Sequence, residues 1–160
     1  MPDSDPHSLS PARDRLTVAA MNTYNASVPY NAWLGAEVLS ADELGVKVRI
    51  PWRVEFASAP GMTHGGVLAG IIDMTACMVL MTARGGVGPT VDLRVDFHRS
   101  TVNGTLYAIG RLLRSGATIS TVEVHVQDSA ERLIASGRCV YLSQSRKRPV
   151  ESEPAVEADP

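Results

Sequence analysis

THGGVLAGIIDMTACMVLMT, residues 63–82, decides how the rest of this chain is read. It opens with a histidine and a glycine pair, then runs almost wholly apolar to Met81. Val67, Leu68, Ile71, Ile72, Met74, Met78, Val79 and Met81 cover every side of a helical wheel. A helix that is apolar all round is buried all round. One charge, Asp73, interrupts the run. An unpaired buried carboxylate costs several kcal/mol or shifts its pKa, so this acid is the best functional lead in the sequence.

On the N-terminal side, residues 12–22 fit a short helix, with Leu16, Ala19 and Ala20 at helical spacing, and residues 22–31 are turn-rich. Trp33 to Leu39 reads as a strand. A second strand alternates Val46, Val48, Ile50 and Trp52 against Lys47, Arg49 and Arg53. Residues 54–62 form a loop broken by Pro60 and Gly61. The helix is expected to stop near Arg84, ahead of GGVGP at residues 85–89.

Four strands follow, over residues 90–98, 105–114, 117–128 and 133–142. Their short connections, at Asn103-Gly104, Ser115-Gly116 and residues 129–132, predict antiparallel hairpins. The expected class is α+β: one long buried helix wrapped by a curved antiparallel sheet of about five to six strands. One sheet covers only one side of such a helix, so the pattern also predicts a second subunit.

The totals set limits on partners and compartment. At 160 residues and 44% apolar, one domain over residues 12–145 is the default. Six of the ten prolines fall in residues 1–11 and 146–160, so both tails are expected to be disordered, the second as an acidic solubilising tail. A net charge of −2 offers no basic excess for nucleic acid. Asp73 and its Gly, Thr and Ala neighbours argue against a membrane span. The first fifteen residues carry no apolar run, so no signal peptide and a cytoplasmic location are expected. Cys77 and Cys139 sit in apolar patterns and read as reduced buried thiols. With two cysteines and four scattered histidines, no metal spacing is available.

His64-Gly65-Gly66-Val67-Leu68-Ala69, followed by Ile72-Asp73-Met74-Thr75-Ala76, resembles the signature of the hotdog-fold acyl-CoA thioesterases of the phenylacetate-degradation type. The likeness extends over most of residues 30–143, element order included. It implies a hotdog fold and hydrolysis of acyl-CoA to free acid and CoA. No cofactor is implied beyond the coenzyme A of the substrate itself. The expected assembly is a homodimer or a dimer of dimers, with its active site shared between subunits.

Carried over residue by residue, Asp73 matches the acid that activates a water or attacks the thioester directly. Gly65 matches the residue whose N–H polarises the thioester oxygen, and His64 a histidine that shapes that end of the site. Thr90 falls where the family often has a Ser or Thr that positions the water. Ser58 stands where several members carry Asn, and it is shorter with a single donor. Gly66, Arg114, Ser115 and Gly116 are the substrate-binding candidates, the last three as a turn whose cation and amides suit a CoA phosphate. Arg84 and Arg99 are further candidates for that contact. Two other readings on the same fold are a hydroxyacyl-thioester dehydratase and a non-catalytic acyl-CoA-binding protein.

The chemistry agrees with this choice of residues. Free N–H groups at a helix start, backed by the helix dipole, stabilise an oxyanion, and a carboxylate supplies the base or nucleophile. Gly65 and Asp73 lie eight residues apart, roughly 12 Å along one helix at 1.5 Å per residue. One helix cannot bring both to one carbon. Two antiparallel helices related by a dyad can. Met74, Met78 and Met81 lie where an acyl chain would pass, and each also serves as plain core filler.

Overall fold

The computed structural model describes residues 16–42 and 45–143. In chain order these form α1 (Val18–Ser27), α2 (Pro29–Leu34), β1 (Glu37–Ala41), β2 (Gly45–Ile50) and a 3-10 turn at Val54–Phe56. A short ribbon follows, β3 (Ala57–Ala59) with β4 (Met62–Thr63), and leads into the long helix α3 (Gly65–Arg84). The last four elements are β5 (Thr90–Phe97), β6 (Leu106–Ser115), β7 (Ile119–Asp128) and β8 (Leu133–Leu142).

α3 begins and ends as its sequence dictates. His64 is the N-cap, and its ring Nδ1 accepts the Gly66 N–H at 2.9 Å, satisfying one of the donors a helix start leaves open. Gly85 closes the other end in the left-handed region, at φ 72°, where glycine carries no Cβ penalty. The helix has the length and hydropathy of a membrane-crossing segment, yet 56% of that window is buried inside the fold.

The burying surface is a six-stranded antiparallel sheet in the order β1-β2-β6-β7-β8-β5. β2, β5, β6, β7 and β8 curve round to touch α3, as expected for one long helix wrapped by one sheet. Two glycines set how closely they pack. A Cβ at Gly110 would lie 2.7 Å from Val79 Cγ2, and one at Gly137 would lie 2.6 Å from Ile72 Cγ2. Ile71, Ile72, Met78 and Leu80 of α3 meet Val48, Leu106, Val122, Val124 and Ile134 in a single core.

Three local expectations are corrected. The first helix starts after Thr17 and runs on to Ser27, through residues read as turn; residues 12–15 lie outside the described residues. Its asparagines signal tertiary bonds rather than turns: Asn22 Nδ2 donates to Val38 O at 3.1 Å and Asn22 Oδ1 accepts the Val38 N–H at 2.8 Å, capping the edge of β1. Trp33 and Leu34 end α2 rather than open a strand, because Pro29 presets the first turn of a helix. Finally, β5 and β6 do not form a hairpin across Asn103-Gly104. β5 lies at the far edge of the sheet against β8, and β6 lies between β2 and β7.

Both tails assigned from composition, residues 1–11 and 146–160, lie outside the described residues.

Candidate active site

The two ends of the signature part company in space, as its spacing requires. At the start of α3, His64 donates its backbone N–H to Phe56 O at 2.7 Å, which ties the helix start to the 3-10 turn. Its ring accepts the Gly66 N–H, and its carbonyl accepts the N–H groups of Val67 and Leu68. That leaves the Gly65 N–H, which has no acceptor among the described residues. Because Nδ1 is an acceptor, the neutral ring carries its proton on Nε2. Ser58 belongs to the adjoining ribbon, exposed, with its hydroxyl 3.5 Å from Met62 O. A Cβ at Gly65 would lie 3.2 Å from the Phe97 ring, so a side chain here would need that ring to shift by a few tenths of an ångström.

Asp73 lies two turns further along and is half-buried. Thr90 Oγ1 donates to its Oδ1 at 3.0 Å, and the Tyr141 hydroxyl lies 2.6 Å from the same oxygen and 2.7 Å from the Asp73 carbonyl. Thr90 and Tyr141 are direct neighbours across the β5–β8 ladder, so the sheet delivers two hydroxyls side by side to one helix residue. Asp73 Oδ2 has no partner among the described residues.

Tyr141 is the residue that sequence reasoning missed. Its alternation in the last strand marks it as inward-facing, and the only signal to its role is that a buried tyrosine hydroxyl needs a partner.

A cleft of about 260 Å³ opens at this carboxylate, lined by Tyr24, Tyr30, Asn31, Met74, Cys77 and Tyr141 among others. α1 and α2 form its outer wall. Tyr30 presses its hydroxyl against Gly70, one turn before Asp73, where a Cβ would collide with it. The charge of Asp73 is felt throughout. Burial and then Asp73 raise the Tyr30 hydroxyl above its ordinary value. The same two causes push the Cys77 thiol up to about 11. Tyr141 is driven far above the ordinary phenol range, first by burial and then by its bond to Asp73, and stays a donor.

Of the three methionines considered for an acyl path, Met74 lines the cleft, Met78 is fully enclosed in the core and Met81 is half-buried.

The proposed phosphate turn is built differently from its expected form. The Gly116 N–H closes the turn on Ile119 O at 3.0 Å, so this amide is not free for a ligand. Arg84 reaches over from the end of α3 to Ser115 Oγ and, at 3.2 Å, to Gly116 O. The cations there are Arg84 and Arg114; Arg99 lies exposed in the loop after β5. Another hollow, about 290 Å³, lies on the sheet among Ile109, Arg111, Glu123, His125 and Gln127 and contains none of the candidate residues. Among the described residues, no three His, Cys, Asp or Glu side chains converge to hold a metal ion.

Comparison with known proteins bears on the fold and the family. A solved protein of the thioesterase superfamily is 36% identical, covers 79% of this chain and 98% of its own, and superposes with a TM-score of 0.76. Zebra fish thioesterase superfamily member 2 is 26% identical over 80% of this chain and 99% of its own, with a TM-score of 0.73. Human acyl-coenzyme A thioesterase 13 is 32% identical over 87 residues, 52% of this chain and 62% of that protein. The profile of the thioesterase superfamily itself matches residues 60–143, which run from the ribbon before α3 to the end of β8. Fold and sequence therefore converge, and the chain belongs to the thioesterase superfamily, whose chemistry is the hydrolysis of thioesters.

Proposed function

We propose that this thioesterase acts on acyl-CoA, as the phenylacetate-degradation type does, at an active site shared between two subunits of a homodimer. One observation carries the reading. Asp73 presents to a cleft a carboxylate held on Oδ1 by two hydroxyls, with Oδ2 unclaimed among the described residues. Oδ2 is the atom that takes the proton from a water, or itself attacks the acyl carbon. Either way a C–O bond forms and the C–S bond breaks, and the thiolate leaves to be protonated as CoA by the proton taken from water. Where Asp73 itself attacks, water then hydrolyses the mixed anhydride to the free acid and restores the carboxylate. The acyl-CoA class is supported by the named activity of the human relative.

The oxyanion donor is Gly65, whose N–H is the unclaimed amide of the first turn. Such a donor is worth about 3 kcal/mol of barrier. It lies roughly 12 Å from Asp73 along the same helix, so the amide that faces Asp73 belongs to Gly65 of the partner subunit. The surface beside Gly65 suits a second copy. β5 is a sheet edge, and its Val91 and Phe97 are 57% and 59% exposed; an unpaired apolar edge is a ready template for another chain. The dehydratase alternative needs an imidazole free to act as base, whereas His64 Nδ1 is engaged in capping α3.

The test is hydrolysis of a panel of acyl-CoAs by wild type and Asp73→Asn. At least a hundredfold loss of kcat is expected with the fold retained, the scale of a missing acid or base. Equal rates on every thioester would overturn the assignment.

A further inference from the structure

We infer that Tyr141 is a positioning residue: its hydroxyl holds the Asp73 carboxylate in the one orientation that leaves Oδ2 facing the cleft. The inference rests on the reading of Asp73 as the reacting acid.

Asp73 comes from a helix, while the two groups that hydrogen-bond its carboxylate come from the sheet. A carboxylate at the end of a short side chain turns about two torsions, and a helix alone leaves its terminal torsion broad. Two donors on a single oxygen remove that freedom. Thr90 supplies one at 3.0 Å from an exposed position, and Tyr141 supplies the other at 2.6 Å from a side chain only 2% exposed. The exposed threonine has rotamer freedom of its own. The buried tyrosine has far less, since its ring is packed in the core.

The hydroxyl has a single proton and two acceptors in reach, the Asp73 carboxylate oxygen and the Asp73 carbonyl. The shorter contact is to the carboxylate, and charge-assisted bonds of this kind are about twice as strong as neutral ones. The carbonyl, 2.7 Å away, is the alternative acceptor on the same residue, so the hydroxyl is directed at Asp73 whichever of the two it serves. Acid and orienting group therefore move as one unit. With its acidity strongly suppressed, Tyr141 remains a donor at every pH at which the enzyme can be assayed.

Tyr141→Phe removes the hydroxyl and keeps the ring. Misplacing a reacting group by ~1 Å costs on the order of 10² in rate, so kcat is expected to fall between about tenfold and a hundredfold while KM stays within about twofold. The decisive measurement is the same substitution in the Asp73→Asn background. A group that acts only through Asp73 has nothing left to position there, so residual kcat should change by less than about twofold, since effects of residues acting as a unit are non-additive. Wild-type kcat in Tyr141→Phe, when Asp73→Asn is inactive, would overturn the inference and leave the role of Asp73 standing. Loss of the folded state in Tyr141→Phe, or equal losses in both backgrounds, would make Tyr141 structural and likewise overturn it. Full activity of Asp73→Asn alone would remove the reading on which the inference rests.

Discussion

At the scale of the residue, Cys77 is a reporter for Asp73. Burial and then the carboxylate raise its thiol to about 11. A raised thiol pKa means less thiolate at any given pH, and the thiolate is the species that alkylates. Iodoacetamide should therefore modify Cys77 slowly at pH 8, with a rate that climbs about tenfold per pH unit towards 11. In Asp73→Asn the same curve should move to lower pH; mass-spectrometric labelling of Cys77 across pH checks both.

His64 offers a second test, because its capping and its place in the site can be separated. His64→Ala should cost ~1 kcal/mol of stability by loss of the cap, whereas His64→Asn should melt near wild type because asparagine restores a capping acceptor. Thermal unfolding of the pair decides it. Asp73 stood out from the sequence because a charge in an apolar run is anomalous. Tyr141 did not, since an inward tyrosine in an alternating strand looks like any core aromatic.

At the scale of the element, α3 was legible almost to the residue. All-round apolarity, a glycine pair opening it and glycines after it leave little choice. The sheet was legible by face and not by partner. Alternation tells which side of a strand is buried, and nothing in Val91, Leu93 and Val95 says that their neighbour is β8 rather than β6. The α1–α2 segment was misread because asparagines that bond to distant backbone have the composition of a turn. The closeness of helix to sheet is testable. In Gly137→Ala the new Cβ meets Ile72 Cγ2 at 2.6 Å and Arg94 O at 3.0 Å. Such overpacking should destabilise by about 1–3 kcal/mol, read as a fall in the denaturation midpoint at unchanged slope.

At the scale of the whole molecule, a shared site makes a quantitative demand. Two inactive homodimers, one Asp73→Asn and the other with Gly65→Val, place their defects at opposite ends of α3. When refolded together, a mixed dimer collects both defects in one site and leaves the other intact. Random mixing makes half of all dimers mixed, so about a quarter of wild-type activity should return. Recovery of none would mean that each chain carries its own site.

The sheet order also has a meaning in time. β5 has one neighbour in its sheet, β8, and Tyr141 comes from β8 as well. As the chain leaves the ribosome, Asp73 and Thr90 emerge long before the strand that seats them, and such non-local pairing forms slowly. Until the final strand arrives, the apolar α3 has an unfinished wall and the carboxylate has no tyrosine. Among the described residues the last strand is thus the one that seats this carboxylate, so the candidate site is assembled only after β8 has emerged.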